Sequence, residues 1–234
     1  LKKTGIILWP ILFWSAAFAL PLISVAFRAA GSFSELSGLF HSTYYRGLLG
    51  FTMKQAALST LFSVILGLPG AYFIGRFDFP GKKILKSIST VPFVLPSILA
   101  VLGFILVFGH SGFINAIRAA LSREETSSWR ILYSLKAIIL AHVFYNFPLT
   151  LRIVGDAWSS LPQSEYSAAR SLGAGPLKAF LTVDLPRLIP GVLTSGVITF
   201  LYCFLSFAII LVLGGGPEFT TLEVEVYRLI KFQL

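Results

Sequence analysis

Residues 167–190 read "SAARSLGAGPLKAFLTVDLPRLIP" and lie between two long apolar stretches. They hold four charges, two glycines and three prolines in a chain that is otherwise 56% hydrophobic. Just upstream, Pro162 suits a first helical position, where no N–H is needed. Glu165 falls in the first turn, where the helix dipole favours an anion. Gly173 stands where a helix would end on a left-handed residue, and Gly175-Pro176 would start a second short helix. Pro186 and Pro190 then lead into the next apolar run. The expectation is two short helices with a glycine corner between them. Ala168 and Ala169 leave one side of the first helix nearly smooth, fit to press against a groove on another protein. A helix resting on lipid would instead want large apolar residues opposite Lys or Arg, and this stretch is too small and too weakly apolar for that.

Outward from this segment the chain reads as a membrane protein. Only 12% of its residues are charged, about half the soluble norm of ~25%, and its mean hydropathy is +0.82. Apolar runs near the ~20 residues needed to cross a bilayer fall at about 5–27, 55–75, 87–108, 137–154 and 189–213. Prolines 10, 21, 92, 96 and 148 lie within them, which membrane helices tolerate because neighbours re-satisfy the backbone. The net charge of +9 does not indicate nucleic acid, since the basic residues lie between apolar runs rather than on a polar face.

Orientation follows the Lys and Arg near span ends. With the N-terminus inside, ten of the 19 cations lie inside, a count that barely discriminates. Density is more telling: the turn over 76–86 carries Arg76, Lys82, Lys83 and Lys86 against Asp78 alone. The N-terminus is therefore expected in the cytoplasm, with 155–188 a cytoplasmic loop and 214–234 outside. In that tail Leu222, Val226, Leu229 and Ile230 share a helical face, while Leu222, Val224 and Val226 also alternate as in a strand; a surface helix is preferred. The stretch "GGGPEFTTLEVEVY" could meet an outer partner or simply return the chain to the membrane.

Several chemistries are excluded. The single cysteine, Cys203, allows no intrachain disulfide and no cysteine-based metal site. No stretch fits the phosphate loop G-x-x-x-x-G-K-[ST], and neither paired carboxylates nor a Ser-His-Asp spacing stands out, so an enzyme with its own active site is not expected. In-membrane ionisable groups are costly and usually functional; here His142, with Asn146 one turn on, is the exception within the spans. The pair is either a helix–helix hydrogen-bonding group or a candidate for a substrate path. A proton-coupled carrier would want an Asp or Glu in its core, so an ion-coupled carrier or channel is the second reading.

The segment around 167–190 resembles the loop shared by inner-membrane permeases of binding-protein-dependent ABC importers. The family pattern is Glu-Ala-Ala, three residues, Gly, nine residues, then Ile-x-Leu-Pro. Here stand Ala168-Ala169, three residues, Gly173, nine residues, then Val183-Asp184-Leu185-Pro186. Ser167 occupies the Glu position, with Glu165 two residues earlier. "LAHVFYNFPL" (140–149) and "SFAIILVLGGGPEFTTLEVEVYRLI" (206–230) are similar to the thiamine and ferric-iron permeases of that superfamily.

The resemblance implies an all-α, type I importer permease bundle in the bacterial inner membrane. It implies an ATPase-docking set of Glu165, Ala168, Ala169, Gly173, Val183, Leu185 and Pro186. ATP and Mg would be bound by a separate cytoplasmic subunit and none by this chain. A periplasmic binding protein would deliver thiamine or ferric iron, and a second permease half, fused or separate, would complete the path. Such permeases often carry two fused halves of about six spans. Five spans, a start at Leu1 and a single docking loop are expected for most of one half, its sixth span missing. The aromatic content of 15% does not choose between the substrates, because Phe-rich spans are ordinary packing material.

Overall fold

The computed structural model describes residues 2–31, 38, 41–121, 131–214 and 216–233. No strand occurs among them. The chain divides into two units, Leu1–Gly47 and Leu48–Leu234. The first unit is dominated by α1 (Lys2–Gly31), which runs unbroken through Pro10 and Pro21.

The second unit contains most of α2 (Thr43–Arg76), then α3 (Lys82–Val94), α4 (Ser97–Phe108), α5 (Phe113–Leu121) and α6 (Leu135–Ser159). Two short helices follow, α7 (Gln163–Ser171) and the single turn α8 (Pro176–Ala179). A π-turn at Phe180–Asp184 joins α8 to α9 (Leu185–Phe204), and α10 (Ala208–Leu213) and α11 (Leu222–Gln233) complete the order. Five stretches among the described residues are long and apolar enough to cross a membrane: Trp9–Phe27, Thr43–Arg76, Ser97–Leu121, Leu135–Ser159 and Pro176–Phe204.

Helix α6 is the spine, with α3, α4, α9 and α10 packed on it. Helix α2 meets it through small residues. A Cβ on Gly67 would lie 2.7 Å from the Thr150 Cβ, one on Gly70 2.6 Å from the Leu151 Cδ1, and one on Gly75 would collide with Trp158. Ala56, Ser59, Ser63 and Ala71 continue the same buried stripe at three- and four-residue spacing. Lipid supplies no hydrophobic drive between helices, so close backbone approach and packing must hold them. A second cluster joins Val101 and Phe104 of α4, Ile138 and Ala141 of α6, and Ile209 and Leu213 of α10.

The helices depart from the expected spans in several places: α2 starts at Thr43 rather than 55, and the third crossing runs on to Leu121 rather than 108. The run expected over 87–108 is broken at Leu95, which is extended at φ −71°, ψ 130°. Pro96 follows, and a residue before proline is pushed out of the helical region. Helix α3 alone, at 13 residues, spans ~20 Å at 1.5 Å per residue, short of the ~30 Å hydrocarbon core. The last crossing starts earlier than expected, at Pro176, and ends at Phe204, with a break at 205–207 before α10. Pro186 does not stop that helix, because Leu185 N–H reaches back five residues to the Phe180 carbonyl. This π-bulge absorbs the irregularity.

Candidate functional site

The segment between α6 and α9 has the expected corner. Helix α7 ends in a Schellman cap: Gly173 N–H donates to the Arg170 carbonyl and Ala174 N–H to that of Ala169, each at 3.0 Å. Gly173 sits at φ +86°, a region that other residues enter only at a cost. Arg170 Nη1 also donates to the Ala174 carbonyl at 2.9 Å, closing the corner. Pro176 occupies the first turn of α8, with Gly175 as its cap.

Three anchors tie this corner to the bundle. Trp158, near the end of α6, stacks on Phe180 with ring centres 5.8 Å apart, and the Tyr72 ring of α2 meets it edge-on at 5.0 Å. Arg76, the last residue of α2, lies over the Tyr166 ring of α7 at 4.2 Å and stands 3.9 Å from the Asp184 carboxylate in the π-turn. Both of those charged side chains are nearly buried, at 10% and 6% exposure. Glu165 pairs with Arg187 at 2.7 Å, half exposed on both sides. At that exposure the bond contributes at most ~1 kcal/mol.

The expected docking residues therefore divide into two groups. Glu165, Ala168, Ala169 and Gly173 form α7 and its cap, with Ala168 and Gly173 exposed. Val183 and Leu185 are half-buried, Pro186 is exposed, and all three belong to the helix that continues into the bundle. The outer corner carries Leu172 and Leu177 instead, at 89% and 69% exposure. Sequence reasoning also passed over Arg76, Tyr166, Trp158 and Asp184. Asp184 had a readable signal, being a lone carboxylate at the edge of a crossing.

His142 and Asn146 lie deep in the unit, at 1% and 2% exposure, and are brought together with α2 and α9. Ser59 Oγ and His142 Nδ1 are 3.1 Å apart, Asn146 Nδ2 donates to the His142 carbonyl at 2.9 Å, and Gln55 Nε2 donates to the Cys203 carbonyl at 2.9 Å. His142 Nε2 and Asn146 Oδ1 are buried without a partner among the described residues. Both residues line a cleft of about 480 Å³. Its other walls include Phe93, Tyr145, Tyr202 and Phe207, with Ser97 and Ser206. The cleft lies beside both helix breaks, and Tyr145 Oη donates to the freed Leu95 carbonyl at 2.7 Å.

Residues 63–232 match the family described as binding-protein-dependent transport system inner membrane components. The chain belongs to that family. It is 33% identical over 215 residues to the thiamine transport system permease protein ThiP of Brucella melitensis, a match covering 90% of this chain and 38% of that protein. The ThiP of Escherichia coli K12 is 33% identical over 194 residues, covering 83% of this chain and 36% of the relative. The chain thus spans under two-fifths of the length of these relatives. In fold it is similar to a chain of the bacterial alginate ABC transporter, solved with a periplasmic protein carrying an alginate pentasaccharide. There the TM-score is 0.78 at 18% identity, covering 97% of this chain and 83% of that one. The family match places the chain among the inner-membrane components of binding-protein-dependent transport systems, and the solved neighbour shares its helical fold.

Proposed function

We propose that this chain is a membrane-spanning half of the permease of an ATP-driven importer, with thiamine as the transported molecule. The carrying observation is the α7–α8 corner. It presents an exposed apolar tip while Arg76, Trp158 and Arg187 link it to α2, α6 and α9. A push on that tip is carried into three helices at once, as coupling to a separate ATPase requires. ATP and its Mg would be bound on that cytoplasmic subunit, and a second permease half would face this one across the path. A periplasmic binding protein would deliver the substrate at the opposite end, near residues 214–234. This assignment sets the N-terminus in the cytoplasm.

Kinship to thiamine permeases supports thiamine over ferric iron as the substrate. The test is uptake of labelled thiamine and labelled ferric iron, in parallel, in cells carrying or lacking the full-length gene. Loss of thiamine uptake alone on deletion is the expected result. Loss of iron uptake alone would reassign the substrate. Uptake that collapses with an ion gradient while ATP is held constant would favour the ion-coupled carrier instead.

A further inference from the structure

The cleft beside the two helix breaks has the dimensions and chemistry of a small-molecule site. Its ~480 Å³ falls within the ~300–1,000 Å³ typical of ligand pockets. Non-helical backbone at membrane depth is tolerated where it lines a cavity, and transporters commonly bind substrate at broken helices. The breaks at Leu95-Pro96 and at 205–207 both border this one cleft.

The lining narrows the ligand. Four aromatic rings, Phe93, Tyr145, Tyr202 and Phe207, contribute to the walls. The polar members are Ser97, His142, Asn146 and Ser206, and none of the lining residues is Asp, Glu, Lys or Arg. A hard metal cation seeks carboxylate oxygens; the lining has none and offers two tyrosine hydroxyls instead, of which Tyr145 Oη already donates to the Leu95 carbonyl. A flat organic cation can instead use ring faces, whose quadrupole attracts positive charge. Two buried polar atoms add direction: Asn146 Oδ1 can accept and His142 Nε2 can donate or accept, and neither has a partner among the described residues. Leaving such atoms unpaired costs free energy, which a ligand with an amine beside a ring nitrogen would recover. Both atoms are enclosed in this conformation, so pairing them with a ligand requires the surrounding helices to part.

We propose that this cleft is a resting station for a flat, positively charged heteroaromatic substrate, held by the rings of Tyr202 and Phe207 with its amine edge toward Asn146 and His142. The proposal rests on the importer reading above and names the residues by which that importer would hold thiamine. Tyr202 is 54% exposed, so its ring can be removed without opening a cavity in the core.

The test uses the full-length permease assembled with its ATPase in proteoliposomes, supplied with its binding protein and labelled thiamine. The readout is thiamine moved per ATP hydrolysed. Tyr202→Ala is expected to lower this ratio at least fivefold, and Tyr202→Phe, which keeps the ring, to hold it within twofold. A general packing defect would slow both processes and leave the ratio unchanged. Tyr202→Gln carries the same test should the alanine variant fail to assemble. An unchanged ratio in the variant lacking the ring, or an equal fall in Tyr202→Phe, overturns the station while leaving the importer intact. A wild-type complex that moves no thiamine overturns both.

Discussion

The Arg76 guanidinium is packed between the Tyr166 ring and the Asp184 carboxylate, with little water on either charge. Removing one member of such a pair strands the other, at a cost of ~3 kcal/mol, whereas replacing both with apolar residues is far milder. Asp184→Ala and Arg76→Met are each expected to lower the thermal midpoint of the purified full-length permease. The double variant should recover much of the loss; strictly additive losses would show that the pair is not coupled. Gly173 poses a different question. A Cβ there meets nothing within 4 Å, so only its φ of +86° resists substitution. Asn tolerates that region, so Gly173→Asn should preserve the α7 cap while placing a side chain on the outer surface. It should insert and fold normally yet lose binding to the ATPase subunit in co-purification. Gly173→Arg should still insert in the membrane, yet block assembly with the ATPase or transport. Full ATPase binding by Gly173→Asn would remove this corner from the docking surface.

At the scale of elements, the α2–α6 contact is set by what is absent from α2. Any Cβ at Gly67 would come within 2.8 Å of the Phe147 carbonyl, so that backbone would have to move. Overpacking of this kind costs about 1–3 kcal/mol. Gly67→Val is therefore expected to leave membrane insertion intact but reduce the folded yield, read as a faster loss of monodisperse protein in a detergent heating series. Gly50→Val, on the same helix with nothing within 4 Å of its Cβ, is the matched control with little effect. The small-residue stripe was present in the sequence but unread, because low hydropathy contrast hides it inside a span: hydropathy reports what faces lipid, and spacing of small residues reports what faces a helix. The α7 cap was legible, because glycine and proline act locally. The π-bulge was not, since Pro186 alone reads as a helix stop, and the five-residue bond from Leu185 N–H to the Phe180 carbonyl that carries the helix past it leaves no mark in the sequence. Likewise Arg76 read as one cation in a basic turn. Its partners lie about a hundred residues away, and no local pattern carries that distance.

For the whole molecule, the least constrained property is which end faces the cytoplasm. Three of the four cations over 76–86 are engaged with carboxylates: Arg76 with Asp184, Lys82 with Asp78 and Lys86 with Asp156. The hydrogen bond from Lys82 holds the Asp78 carboxyl below its usual range, so this pair persists into mildly acid conditions. Pairing does not cancel the orientation signal, because the retention of Lys and Arg on the inner side is not a net-charge rule. Arg123 and Arg130, counted in the opposite set, lie outside the described residues. A cysteine-labelling experiment decides the matter, and Cys203, fully buried, contributes little background from this stretch. Ser171 ends α7 on an exposed face, and Glu218 is exposed beyond the one crossing that separates them. In intact cells a membrane-impermeant maleimide is expected to label Glu218→Cys and spare Ser171→Cys, with the reverse in inverted vesicles. The opposite pattern would put the α7–α8 corner outside, where no ATPase can reach it, and the coupling role of Arg76, Trp158 and Arg187 would fall with it. Labelling of both from one side would mean that Pro176–Phe204 does not cross, and the cleft beside its end could not then lie on a path through the membrane.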